Sequence, residues 1–493
     1  MTAKNVAGNY SLIPSEKFFV AILLWIILIQ AGFIFNDVTI IEGWKFRTLI
    51  FACLLISCVL WAVGCSHIKI RTWDLDGSRM NGFLVNFGAQ MIDVYNFDKP
   101  DGYSLEEVAR LEEKYSDLIR EDSYSVLPNI IIIMDESYAD LSILGNSIKT
   151  DKKITPFIDS LNDNTIKGYA LSSVFGGGTA NSEYEFLTGN SVALFTNNTI
   201  VYNMYIHEEI YSIVTFLHSY NYYCEATHPY LESGWSRTIV YPLMGFDEMS
   251  FIEDYPQKKL IRDYVSDQEM FEQIVYKFET RDISRPWFLF GVTMQNHGGY
   301  EYSGPNYSPS IKMNGYKQNY PDAEQYIGLM HETDKAVEYL INYFSNQNQP
   351  TIVVVFGDHL PNLNQDFYKE IHGGEFSTLA EKELQYMVPF FIWANYDIDE
   401  EFVELTSINY LQNYVYKAAG IKFPRYNQFL KNLQNDIPAI NSIGYYTKDK
   451  QFLGFEEQSD FNASINEYFI LEYNSVFENV DKRSKLFFGD ISE

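Results

Sequence analysis

Apolar positions fall into three kinds of pattern along this chain. Two long uncharged runs come first, "FFVAILLWIILIQAGFIF" at 18–35 and "TLIFACLLISCVLWAVG" at 48–64. A helix crossing a bilayer core takes about 20 apolar residues, with a range of about 17–25. Two N-terminal membrane helices are therefore expected, with 1–65 as the membrane segment. No small-residue cleavage site separates the runs, which argues against a removed leader. Lys and Arg flank both runs on both sides, so charge does not orient them. From 66 to 127 the chain turns polar. Within it "SLEEVARLEEKYSDLI" at 104–119 has the helical period and opens on Ser104 as a capping residue, which predicts a linker helix.

From 128 to 493 short apolar runs alternate with longer helical patterns. That alternation predicts an α/β domain with a mainly parallel sheet flanked by helices. Three runs are continuous, as in strands buried on both faces: "NIIIIMDES", "WFLFGVTMQNHGG" and "TIVVVFGDHLP". Each ends in groups that bind ligands. Glu136 follows the first, His297 the second, and Asp358 and His359 the third. In open α/β sheets the ligand lies beyond the carboxyl ends of the strands, so these endings point to a metal site.

A fourth stretch, "FGGGTANSEYEFLTG" at 175–189, puts three glycines before Thr179 and a helical pattern after it. Glycine lets a ligand approach the backbone closely, and a helix N-terminus offers free amides to an anion. A plain helix cap is the other reading of Thr179. Taken together, Glu136, Thr179, Asp358 and His359 offer carboxylate, hydroxyl and imidazole donors for one divalent ion. That donor set suits Mn²⁺, Zn²⁺ or Mg²⁺. Such an ion would lower the pKa of the Thr179 hydroxyl and make it a nucleophile. "HPYLESGWSRT" at 228–238 adds three further candidates. Arg237 carries a planar fork suited to phosphate oxygens. His228, with His297, can donate to phosphate or carry a proton. Trp235 can cover a glycerol or lipid-proximal face.

Composition narrows the partners. The chain has 493 residues and a net charge of -29, which disfavours nucleic acid, because polyphosphate binding needs a basic footprint. Cys53, Cys58 and Cys65 lie at the N-terminal end. Cys224 is alone in the remainder, so that part forms no internal disulfide.

The stretches "IIIIMDESYADL", "ITPFIDSL", "GGGTANSEYEFLTG", "HPYLESGWSRTIVYPLMGFDEM", "VTMQNHGGY" and "VVVFGDHLP" occur in an order that resembles the lipoteichoic acid synthase family, within the alkaline phosphatase and sulfatase superfamily. They cover roughly 128–361, and "YFILEYNSVF" looks like the family's closing segment. The resemblance implies a sulfatase-like catalytic domain at 128–493. It makes Thr179 the nucleophile, puts Glu136, Thr179, Asp358 and His359 on one ion (usually Mn²⁺), and lines a headgroup pocket with His228, Trp235, Arg237 and His297. The implied reaction takes glycerophosphate from phosphatidylglycerol, leaves diacylglycerol, and passes the group to a teichoic chain, a wall glycan or a glycolipid. The implied location is the cell membrane, with the catalytic domain extracellular. Members of the family usually carry about five membrane helices, whereas two are read here. With the catalytic domain outside, an even number of spans would put the N-terminus outside as well. Phosphoethanolamine transfer and phosphodiester hydrolysis share the same ligand shell. Sulfate-ester hydrolysis needs a Cys or Ser in a C/S-x-P-x-R motif, and Thr179 is followed by Ala180 and Asn181. A silent wall-binding module would have no use for complete metal ligands.

Overall fold

The computed structural model describes residues 99–116, 127–146, 148–195 and 199–488, together with Ala52, Leu55, Ile56, Val59 and Val63. Those five are helical and fall in the second apolar run. The rest of that run and all of 18–35, where membrane spans are expected, lie outside the described residues. Among the described residues no helix is long and apolar enough to cross a membrane.

The central sheet has eight strands: β1 (Asn129–Asp135), β2 (Thr165–Leu171), β3 (Tyr223–Thr227), β4 (Glu248–Ser250), β7 (Trp287–Val292), β8 (Thr351–Gly357), β9 (Met387–Ala394) and β10 (Glu401–Ser407). A separate hairpin is made by β5 (Leu260–Ile261) and β6 (Tyr264–Val265). The spatial order is β10-β2-β9-β8-β1-β7-β3-β4. Only β9 opposes its neighbours, and every other pairing in this sheet is parallel. The mainly parallel α/β expectation therefore holds. The three continuous apolar runs of the sequence are the adjacent strands β8, β1 and β7. Every residue of each is buried, because helices cover both faces of a parallel sheet.

Strand register builds the site. Asp135 lies opposite Gly357 at the carboxyl ends of β1 and β8. The next residues, Glu136 and Asp358, therefore leave the sheet side by side. Gly357 is required there, since a Cβ would sit 2.0 Å from the Tyr138 carbonyl oxygen.

Six helices matter below: α1 (Leu105–Ser116), α2 (Thr179–Thr188), α3 (Arg237–Leu243), α4 (Asp267–Thr280), α5 (Pro321–Ser345) and α6 (Asn462–Phe477). The capping expectation at α1 is met, with the Glu107 amide donating to Ser104 Oγ at 3.1 Å. This helix is docked rather than free. Val108, Leu111 and Tyr115 are buried, the Tyr115 ring meets Phe429 at 4.9 Å, and Lys114 pairs with Glu467 at 2.7 Å. One compact unit accordingly runs from Asp98 to Phe195 and from Thr199 onward, so α1 belongs to the same unit as the central sheet. The closing segment of the sequence lies on α6. It supports the back of α2, where Tyr184 donates to Glu472 at 3.0 Å and Tyr468 donates to the Gly189 carbonyl at 2.9 Å.

Candidate active site

Four of the expected residues meet beyond the ends of β1 and β8. Ligand atoms of Glu136, Asp358 and His359 all lie within 4.8 Å of one another, and all three residues are buried. His359 Nε2 is 3.3 Å from Asp358 Oδ2 and 3.6 Å from Glu136 Oε1. Thr179 Oγ donates to Glu136 Oε2 at 3.3 Å.

The hydrogen bonds around this cluster orient its open atoms inward. Asp358 Oδ1 accepts the Ser137 and His359 amides, each at 2.8 Å, whereas Oδ2 has no hydrogen bond. His359 Nδ1 donates to the Leu360 carbonyl at 2.9 Å, which leaves Nε2 as a bare lone pair, also without a hydrogen bond. Two orphaned buried acceptors 3.3 Å apart repel unless a proton or a cation lies between them. Burial and the Glu136 charge push Asp358 up to about 7, although His359 pulls the other way. Burial opposes protonation of His359, but the Asp358 and Glu136 carboxylates outweigh it and hold the imidazole above its ordinary value. Both shifts report a site short of positive charge. Two carboxylates, an imidazole and a hydroxyl fit one divalent ion.

Local backbone geometry fixes the position of Thr179. Gly176, Gly177 and Gly178 all have positive φ, at 69°, 152° and 94°. L side chains rarely adopt that conformation. A Cβ on Gly177 would meet nothing within 4 Å, so space lies open in front of the loop. The Gly176 amide donates to the Leu360 carbonyl at 3.0 Å. Ser172 and Ser182 donate to the Asp358 carbonyl at 2.6 and 2.7 Å. The threonine loop, the start of α2 and the segment from Asp358 to Leu360 are thus bonded into one unit. Ser137, at φ 55°, turns left-handed beside Glu136 and donates to it at 3.1 Å.

The headgroup candidates surround this unit in different states. Arg237 is buried and engaged. Its Nε and Nη2 donate to Glu183 at 2.5–3.2 Å, and Tyr241 donates to the same carboxylate at 2.7 Å. Nη1 is the guanidinium nitrogen turned toward Gly234, where a Cβ would lie 3.3 Å away. His228 Nδ1 donates to the Val292 carbonyl at 2.9 Å. Burial and the Arg237 charge hold His228 well below its usual range, so it is neutral with Nε2 bare. His297 is half-buried, and its Nδ1 shares a proton with the Tyr264 hydroxyl at 3.0 Å. Trp235 and Ser236 form a left-handed turn, at φ 54° and 58°, that leads into α3.

The sequence reading passed over three supporting residues. Glu183 was accessible to it, since a residue four on from Thr179 shares a helix face with it. Arg262 and Tyr264 gave no signal, because "LIRDYV" has no period. Arg262 is buried, at φ 56°, and ties down the loop that carries His297. Its Nη2 donates to the Gln295 and His297 carbonyls at 2.7 Å each, and its Nη1 to the Gly299 carbonyl at 3.2 Å.

A parallel α/β sheet with this cluster at its strand ends defines a class of metalloenzyme. The Sulfatase family model matches residues 128–421, and the chain belongs to that family. A Rhizobium meliloti (strain 1021) protein named for cyclic beta-1,2-glucan modification is 28% identical over 418 residues, covering 82% of this chain and 63% of that one. The chain thus spans less than two thirds of this curated relative's length. The structure of Streptococcus pyogenes phosphoglycerol transferase GacH in complex with sn-glycerol-1-phosphate superposes with a TM-score of 0.65 at 22% identity, covering 78% of this chain and 96% of that one. The lipoteichoic acid synthase LtaP from Listeria monocytogenes superposes with a TM-score of 0.55 at 17% identity, covering 78% and 97%. The shared fold agrees with the resemblance carried by the sequence motifs.

Proposed function

We propose that this protein is a metal-dependent transferase that moves glycerophosphate from phosphatidylglycerol to a polyol-phosphate or glycan acceptor through a phosphothreonine intermediate. One observation carries the reading. The hydroxyl of Thr179 stands behind three left-handed glycines, 3.3 Å from Glu136, in a cluster where Asp358 Oδ2 and His359 Nε2 have no hydrogen-bond partner. The glycerol phosphate of the GacH complex and the glucan in the Rhizobium protein's name belong to those proteins, and both are consistent with this chemistry.

Glu136, Asp358, His359 and Thr179 would hold the ion, with Mn²⁺ as the favoured metal. When bound, the ion supplies Lewis-acid polarisation of the phosphoryl and threonine oxygens. In the first half-reaction Thr179 Oγ bonds to phosphorus, the bond from phosphorus to the diacylglycerol oxygen breaks, and the threonine proton ends on that oxygen. In the second, an acceptor hydroxyl oxygen bonds to phosphorus, the bond to Thr179 Oγ breaks, and the acceptor's proton ends on Thr179 Oγ. Glu136 accepts the Thr179 hydrogen bond and aligns Oγ. Nη1 of Arg237, the nitrogen not bonded to Glu183, and the open face of the glycine loop receive phosphoryl oxygens. Neutral His228, with His297 and Trp235, lines the headgroup. Runs 18–35 and 48–64 anchor the chain in the cell membrane, with the catalytic domain outside.

Intact-protein mass spectrometry after incubation with phosphatidylglycerol and Mn²⁺ tests this reading. The parent should carry a glycerophosphate adduct. Thr179→Ala should carry none and release no diacylglycerol, and Thr179→Ser should keep part of the activity. Diacylglycerol release by Thr179→Ala at near the parent rate would make water the attacking group and overturn the covalent mechanism.

A further inference from the structure

A row of rings leads outward from the candidate active site. His228, Tyr230, Tyr264 and His297 follow one another with centroids 6.1, 6.2 and 5.2 Å apart. His228 is buried and the other three are half-buried, so each of those offers part of its surface to a ligand. The row begins at the strand ends, where His228 Nδ1 meets the carbonyl of Val292, the residue of β7 that pairs with Met134 of β1. The Tyr264 ring is held in place. Its hydroxyl is tied to His297, and the Arg262 guanidinium lies 5.4 Å from its centroid.

The charges on the same segments restrict what can bind there. Glu232, Asp263 and Glu301 are exposed. Among the cations, Arg237 is bonded to Glu183, Arg262 to three carbonyls, and Lys259 to Glu269 and Glu272. Exposed Lys258 remains. An acceptor bearing a phosphate on every unit would bring repeated negative charge to segments that expose these carboxylates, on a chain of net charge -29. A neutral sugar would not. One face of a hexopyranose presents C–H groups that suit the negative face of an aromatic ring. Its hydroxyl rim suits the polar tips of tyrosine and histidine.

We propose that Tyr230 and Tyr264 form the acceptor subsite and hold a neutral hexopyranose ring, so that the acceptor is an uncharged glycan and not a polyol-phosphate chain. The assignment of the subsite to the acceptor rests on the transferase reading above. The binding of the sugar can be measured without it.

The test uses the full chain loaded with Mn²⁺. Two probes are titrated separately, a neutral glucan oligosaccharide and a glycerol phosphate oligomer. Binding is read by calorimetry and by saturation-transfer NMR. The glucan should bind with its ring C–H protons closest to the protein, and the phosphate oligomer should bind at least tenfold more weakly. Tyr230→Ala should weaken glucan binding by about tenfold, while Tyr230→Phe, which keeps the ring, should retain it. Three results would overturn the proposal: no glucan binding, equal glucan affinity in Tyr230→Ala and the parent, or preference for the phosphate oligomer. Glucan binding that is lost in Tyr230→Ala, in a protein that forms no adduct on Thr179, would defeat the transfer reading and support the sugar subsite.

Discussion

Replacing Asp358 with Asn should uncouple the fold from divalent ions. Asp358 is fully buried, with Oδ1 held by two backbone amides and Oδ2 facing His359 Nε2 at 3.3 Å. Asn keeps a carbonyl oxygen for the two amides and puts an amide group where the ligand oxygen stood. The local fold is preserved and the donor is lost. An ion that binds only the folded state stabilises it by RT ln(1 + [L]/Kd), about 2.7 kcal/mol at a hundredfold excess over Kd. Unfolding entropy is about 2.1 cal/mol/K per residue, so the roughly 360 residues from Pro128 onward give about 0.8 kcal/mol/K. The ion should therefore raise the parent's Tm by about 3–4 °C. Calorimetric scans of EDTA-treated protein, with and without Mn²⁺, measure this directly. Asp358→Asn should shift by less than about 1 °C, and Glu136→Gln should behave the same way. Metal-free Asp358→Asn should also melt no lower than the metal-free parent at pH 8. A carboxyl pushed up to about 7 stabilises the fold when protonated, and that contribution is lost as pH rises through 7. An Asp358→Asn protein whose Tm rises with Mn²⁺ as much as the parent's would refute the ligand assignment.

Two further variants probe residues behind the site. Glu383 is buried, accepts from Asn441 at 2.7 Å through Oε2, has no bond to Oε1, and is pushed up to about 8 by burial. The folded protein holds that proton more tightly than the unfolded chain. Stability from this group is full below the usual 4.5 and is lost as pH rises through about 8. Melting scans should show a fall of up to about 1.4 kcal/mol per pH unit, and Glu383→Gln should flatten it; an unchanged slope would contradict this account. Arg262→Met should orphan three carbonyls at about 1 kcal/mol each, lowering Tm by about 4 °C and slowing turnover by releasing His297. Full activity in Arg262→Met would show that the His297 loop holds its place without the guanidinium.

The sequence was most legible where chemistry and backbone are contiguous. The run "NIIIIMDES" states a buried strand and the carboxylate at its end, and parallel register places Glu136 and Asp358 side by side. The triple glycine was equally readable, because positive φ is a local property. Long-range pairing was not. Nothing near Arg237 in the chain shows that Glu183 neutralises it, so an arginine expected to meet phosphate with its whole fork offers only Nη1. Arg262 and Tyr264 sit on a two-stranded hairpin too short for a period, and their role emerges only from the carbonyls and the ring they touch. The helix in the expected linker has a clear period, but its docking partners, Phe429 and Glu467, lie more than three hundred residues away.

That neutralised arginine has a consequence for the substrate. Glu136 and Asp358 bring two negative charges, His359 is neutral when it ligates through Nε2, His228 is neutral, and Arg237 is cancelled by Glu183. One divalent ion balances the two carboxylates, leaving a buried site with little surplus positive charge. A phosphodiester brings one negative charge and a phosphate monoester dianion brings two. An extra unit charge at about 4 Å is worth about 4 kcal/mol at an effective dielectric of about 20, so the dianion is the harder species to accommodate. The protein with Mn²⁺ should therefore cleave bis(p-nitrophenyl) phosphate with a kcat/KM at least about tenfold above that for p-nitrophenyl phosphate at pH 8. Glu183→Gln should narrow this gap, because it returns the Arg237 charge to the site. A parent enzyme that prefers the monoester would mean that the site holds positive charge beyond this inventory, and the case for a phosphodiester donor would fail with it.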